Sequence, residues 1–304
     1  KLAENGLKSH DKLELVLVAK QENDSFIYWE FPLWLSQSKL GGRTKPSDAC
    51  TLICMSIAEA FYSDTNLSNI LRLDHRREGF TEEQHLAMTW HKVCPPELIG
   101  LMNEAIVKGN VLYDEEKKRK ENAMLHAGKK TPLIVREILT IPEAVQARNR
   151  FVSEGSLAAE EIKDHSVLHE VDYILVKGSI GQNLSRYAND AIEHPALYDW
   201  NIFCFIVVFQ RKAVSLVYRR DDDLFCLLDS HTHDSNTNAL IPYLSRLFAI
   251  SSVAEWMEKR LFIDTLDARD QAFELSLLQL TNEMEKSPTN PNIPIQTKIY
   301  QPSN

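Results

Sequence analysis

The chain has 304 residues and carries 34 lysines and arginines against 43 aspartates and glutamates, a formal net charge of −9. That balance excludes a dedicated nucleic-acid binder, whose footprint is a basic surface that displaces counterions from phosphates. A composition of 44% hydrophobic and 25% charged residues excludes a disordered chain and leaves material for a sizeable core in one large domain or two smaller ones. The longest apolar runs, Leu13 to Ala19 and Phe203 to Phe209, are strand-sized, well short of the ~18–20 residues that cross a bilayer, so no membrane span is expected. Nothing near Lys1 has the charged, apolar and small-residue order of a signal peptide, and the sequence reads as an excised piece of a longer chain.

Residues 1–12 are polar and aperiodic and read as linker. Leu13 to Lys20 (LELVLVAK) and Phe26 to Phe31 (FIYWEF) are β-branched and aromatic between polar brackets, the pattern of strands. Ser38 to Asp48 (SKLGGRTKPSD) is a loop by its paired glycines and its proline. From Thr51 to about Tyr62 (TLICMSIAEAFY) apolar residues crowd every side, which predicts a buried helix with Ser47 or Asp48 as its cap. From about Asn66 to Asn149 the chain reads as helical throughout, and its run Lys117 to Lys120 (KKRK) as a solvated helix face.

After Val167 the pattern changes. HEVDYILVKG, NIFCFIVVFQ, KAVSLVYRR and DLFCLLDS read as strands, with a helix around Asn183 to Ile192 between the first two. Short turns join the last three into a meander. An amphipathic helix from about Val253 to Phe262 follows. The proline-rich stretch from Ser287 reads as an extended or disordered tail, with IQTKIY a candidate late strand. Helices followed by a meander predict an α+β domain over 13–286, with 66–149 as a helical insertion and 287–304 as tail.

Five cysteines without regular spacing disfavour a disulfide framework and fit a reducing, intracellular compartment, cytoplasmic or nuclear. Cys54, Cys204 and Cys226 sit in apolar runs and read as core filler. Cys50 differs: it stands at the start of the predicted buried helix, where unpaired N–H groups and the helix dipole favour a thiolate. Leu227 to Asp234 (LLDSHTHD) supplies the second half of a site. Residues two apart on an extended segment share a face, so Asp229 can fix the tautomer of His231 and stabilise its charged form. A metal site on His231 and His233 competes with this reading, but no third histidine or cysteine stands at a familiar spacing. His85 and His91 lack helical i,i+4 spacing, His165 and His169 read as surface histidines, and the Gly178 to Gly181 segment reads as a turn.

The order Gln37, Cys50, Asp229-Ser230-His231, with an ACTLI-type helix start, resembles papain-like-fold cysteine peptidases that place the acid just before the histidine. That group includes the ubiquitin-specific protease domain of herpesvirus large tegument proteins, the autophagy-modifier proteases and the proteases that process the ubiquitin-fold modifier. The tegument group is the most similar, through its Asp-Ser-His strand end, a short apolar segment (here Ala239 to Ile241) and a late helix. The resemblance is carried by residues 37–62 and 203–262.

It implies a papain-like fold with a buried N-terminal helix packed on a C-terminal antiparallel sheet, and no cofactor or metal. It also implies Cys50 as nucleophile, His231 as general base, Asp229 as its orienter and Gln37 as an oxyanion-hole donor beside the Cys50 N–H. The implied activity is cleavage of an amide or isopeptide bond at the C-terminus of ubiquitin or a ubiquitin-like modifier, and the acidic charge suits a basic protein partner. Ala49 and Thr51 depart from the aromatic or glycine neighbours that often flank such a nucleophile. This departure and the helical insertion keep open a catalytically silent domain that serves as an interaction module of a larger assembly. Acyl transfer or deamidation on the same residues is a third reading.

Overall fold

A computed structural model describes residues 20–23, 26–31, 34–44, 47–63, 94–126, 138–154, 166–209, 211–221, 223–231, 243–246, 250–261 and 272–282. The expected strand residues Leu13 to Ala19, the helical stretch from 66 to 93, Ala239 to Ile241 and the IQTKIY segment lie outside the described residues.

Among the described residues eight strands form one antiparallel sheet: β1 (Lys20–Asn23), β2 (Phe26–Tyr28), β3 (Ser166–Lys177), β4 (Ile202–Phe209), β5 (Lys212–Arg219), β6 (Leu224–Asp229), β7 (Tyr243–Arg246) and β8 (Ala272–Asn282). Their spatial order is β1-β2-β7-β6-β5-β4-β8-β3. The β4-β5-β6 meander is the one its apolar runs predict. Strand β8, which is not among the strands expected from sequence, enters between β4 and β3, pairing Val207 with Leu275 on one side and Ile174 with Leu275 on the other.

Five α-helices cover the sheet among the described residues: α1 (Cys50–Ser63), α2 (Pro96–His126), α3 (Ile141–Ser153), α4 (Ile180–Ile192) and α5 (Ile250–Arg260). Helices α1, α2 and α3 lie over one face, where Cys204, Ile206 and Val208 of β4 and Cys226 and Leu228 of β6 point. Helices α4 and α5 lie over the other, packed on Phe203, Phe205, Val207 and Phe209 of β4 and Phe225 and Leu227 of β6. Because both faces are covered, β4 and β6 alternate between two apolar cores and read in sequence as unbroken apolar runs.

Local chemistry explains the helix limits. Thr140 and Glu143 form a reciprocal capping box at α3, with Pro142 in its first turn. Ser179 caps α4 by accepting the Gln182 N–H. The first half of α2 buries Leu98, Leu101, Met102, Ala105, Ile106 and Leu112, whereas Lys117 and Lys118 are exposed. This helix packs directly on α1: a Cβ on Gly109 would stand 2.5 Å from Cγ1 of Ile53 and 2.7 Å from its backbone nitrogen. Only glycine permits so close an approach. Charged groups tie the helical layer together, since Arg148 of α3 and Lys108 of α2 both pair with Glu59 of α1, at 3.3 Å and 3.0 Å. Arg148 also donates to the Ser166 carbonyl of β3 at 2.6 Å.

Candidate active site

The site lies where α1 begins and β6 ends. Cys50 is the first residue of α1, so its N–H belongs to the first turn and has no partner within the helix. Ser47 is used one step before the helix: its hydroxyl accepts the Ala49 N–H at 3.2 Å. Asp48 pairs with Arg211 at 3.1 Å. Asp229 is the last residue of β6 and fully buried, and the chain leaves the sheet through Ser230 to His231.

The structure brings Asp229 and His231 together. Asp229 Oδ1 lies 2.5 Å from His231 Nδ1 and also accepts the His231 backbone N–H at 3.0 Å. Cys50 is close enough to the imidazole to favour its charged form. Burial pushes the imidazole down, but the Asp229 charge and hydrogen bond, followed by Cys50, outweigh it and hold His231 up at about 10. The imidazolium is therefore the favoured form near neutral pH.

Gln37 closes the group from the loop leading into α1. Its backbone N–H donates to the Ser230 carbonyl at 3.0 Å, and its Oε1 accepts the Ser230 hydroxyl at 2.9 Å. Its Nε2 donates one hydrogen to the Ser47 carbonyl at 2.8 Å. The loops that carry the cysteine and the histidine are thus stitched together through one side chain. Sequence reasoning named Ser47 only as a helix cap and Ser230 only within the Asp-Ser-His order, and it missed Asn110 of α2, which donates to the Gln37 carbonyl at 3.0 Å. The only signal for Asn110 was a polar residue amid the apolar stripe of α2.

Cys54 lies one helical turn beyond Cys50, and burial pushes its thiol well up. Burial holds Cys94 at about 12 and likewise pushes Cys204 to about 12. The Cys50 thiol is fully buried and donates to the Arg211 carbonyl at 3.8 Å, so the β4–β5 turn covers it. Arg211 holds that turn with φ of 79°. Trp34, three positions before Gln37, stands 54% exposed, whereas Trp256 packs in the core.

No group of three histidine, cysteine or acidic side chains able to hold a metal occurs among the described residues; His233 lies outside them. Among the same residues no helix is long and apolar enough to cross a membrane.

No protein-family model matches the chain, and no curated protein does. Among solved structures it is similar to the ubiquitin-specific protease encoded by a murine cytomegalovirus tegument protein, in complex with a ubiquitin-based suicide substrate. That likeness has 13% identity and a TM-score of 0.42 over 81% of this chain and 84% of that one. It is also similar to the Pseudomonas avirulence protein AvrPphB, with 10% identity and a TM-score of 0.34 over 77% of this chain and 95% of that one.

Proposed function

We propose that the chain is a papain-like thiol hydrolase that cleaves an amide or isopeptide bond at the C-terminus of ubiquitin or a ubiquitin-like modifier. The observation that carries this reading is the row Asp229, His231, Cys50. A buried carboxylate grips one ring nitrogen at 2.5 Å, and the imidazole meets a thiol at a helix N-terminus. The modifier as substrate is supported by the Gln37, Cys50, Asp229-Ser230-His231 order of the sequence and by a net charge of −9 that suits a basic partner.

In the proposed reaction the Cys50 sulfur attacks the substrate carbonyl carbon and forms a C–S bond. The oxyanion is held by the Cys50 N–H and by the Gln37 amide hydrogen that Ser47 does not use. The imidazolium of His231 delivers its proton to the leaving nitrogen as the C–N bond breaks, and the amine departs from a thioester. Water then attacks the thioester, giving one proton to His231 and releasing the thiolate and a carboxylic acid, which loses its remaining proton to solvent. Asp229 keeps the ring in one tautomer throughout.

The fully buried Cys50 under the Arg211 carbonyl favours a second reading, a silent domain that acts as an interaction module of a larger assembly. Turnover of a fluorogenic C-terminal amide of ubiquitin separates the two. The hydrolase reading expects turnover that falls by roughly 10⁴-fold or more in Cys50→Ala, with the unfolding midpoint little changed. Turnover that survives the substitution removes Cys50 from the mechanism, and an inert native chain favours the silent module.

A further inference from the structure

The middle of α2 carries a polar residue that neither the fold nor the reaction accounts for. Asn110 is 5% exposed on the buried stripe of a helix, a position where an amide costs several kcal/mol unless both of its ends are bonded. Both ends are bonded, and neither partner belongs to α2. Its Oδ1 accepts the Ser47 hydroxyl at 2.5 Å, and its Nδ2 donates to the Gln37 carbonyl at 3.0 Å. The Gln37 carbonyl can only accept, so the amide orientation is fixed by chemistry.

From Asn110 the bonds run to each of the reacting segments. Ser47 holds the Ala49 N–H, next to Cys50, and takes one Nε2 hydrogen of Gln37 on its carbonyl. Gln37 in turn is bonded twice to Ser230, next to His231. A primary amide is planar, so once one Nε2 hydrogen and Oε1 of Gln37 are engaged, the direction of the second hydrogen is set. The close approach of Gly109 to Ile53 pins α2 against α1 at the neighbouring position and fixes where the Asn110 side chain emerges.

We propose that Asn110 is a positioning residue for the oxyanion hole. It holds the Gln37 backbone and the Ser47 hydroxyl at a fixed separation, so that the free Gln37 amide hydrogen points at the developing oxyanion. The inference rests on the hydrolase reading of Cys50 and deepens it, because it places transition-state geometry under the control of the helical layer.

Three measurements on the same chain test it: kcat and KM on the fluorogenic ubiquitin amide, the rate of Cys50 alkylation by iodoacetamide, and the unfolding midpoint. Alkylation uses the thiol and its histidine but builds no oxyanion, so it separates the hole from the nucleophile. Removing an oxyanion donor outright costs about 10²–10³ in kcat, so misplacing one in Asn110→Ala should cost about 10- to 100-fold. KM and the alkylation rate should stay within roughly 3-fold of native, and Gln37→Ala combined with Asn110→Ala should be no worse than Gln37→Ala alone.

Asn110→Ser, which keeps a hydroxyl donor toward the Gln37 carbonyl, should recover part of the loss and provides a folded variant if the alanine form is unstable. A kcat within roughly 3-fold of native in Asn110→Ala, or alkylation that falls in step with kcat, overturns the proposal. Unfolding of both variants at assay temperature assigns Asn110 to stability and overturns it as well. A native chain without turnover overturns the hydrolase reading and takes this inference with it; a native chain that is active and indifferent to Asn110 overturns this inference alone.

Discussion

The two faces of the sheet are built from different materials. On the α4/α5 side the core is aromatic: Phe203 stacks on Phe205 at 6.2 Å, Tyr187 meets Phe205 edge-on at 6.0 Å, and Tyr218 lies 4.6 Å from Phe225. On the α1/α2/α3 side an apolar core encloses two polar clusters, Arg148, Lys108 and Glu59 in one and Asn110, Ser47 and Gln37 in the other. Aromatic burial supplies adhesion with tolerant geometry, whereas hydrogen bonds between buried groups fix distance and angle. The candidate site sits beside the second cluster, where orientation matters, and the aromatic face serves as its foundation.

The largest effect should follow from a change at the polar end. Asp229→Asn is isosteric but removes the charge that holds His231 protonated, and it should lower kcat by about 10³–10⁴-fold. The same variant has a pH signature. The imidazole is raised from about 6.5 in the unfolded chain to about 10 in the fold. Its contribution to stability is therefore complete below about pH 6.5 and lost as pH rises through about 10. Urea unfolding of the native chain and the variant should differ most near pH 6 and converge toward pH 10. A constant gap across that range would show that His231 is not the group responsible.

On the aromatic face the pattern should reverse. Phe205 is fully buried, and Phe205→Ala should cost about 3–5 kcal/mol of stability by leaving a cavity. The kcat per folded molecule should stay within roughly 3-fold of native, a loss far below that of a triad member. A large loss of kcat in well-folded Phe205→Ala would erase the distinction between the two faces. Two glycines of α2 sharpen the comparison further. Gly109→Ala forces a methyl into the Ile53 backbone and should cost about 1–3 kcal/mol while lowering kcat through the neighbouring Asn110. At Gly100 a Cβ meets nothing within 4 Å, so Gly100→Ala should stabilise by up to about 1 kcal/mol and leave kcat unchanged.

Much of this architecture was legible in the chain. Helix α1 announces itself because a helix buried all round leaves no polar face, and β4, β5 and β6 because strands between two cores lose their alternation. Strand β8 was missed although Phe273, Leu275 and Leu277 alternate with Glu274 and Ser276. Its partners β3 and β4 are remote in sequence, so no turn chemistry marks it. Asp229 and His231 were readable because their bond is local, spanning two residues. The contacts of Gln37 with Asn110 and Ser230 span 73 and 193 positions, and no periodicity reports a bond of that reach. The cover of Arg211 over Cys50 was equally invisible, since it depends on where a hairpin turn falls after the sheet has formed.

The most direct test of the central claim is covalent capture with a ubiquitin that carries a C-terminal electrophile, followed by mapping of the modified residue by mass spectrometry. One adduct is expected, on Cys50, that disappears in Cys50→Ala and in His231→Ala while Cys54→Ala still forms it. An adduct on Cys54, Cys94, Cys204 or Cys226, or an adduct on Cys50 that forms as fast without His231, would contradict it.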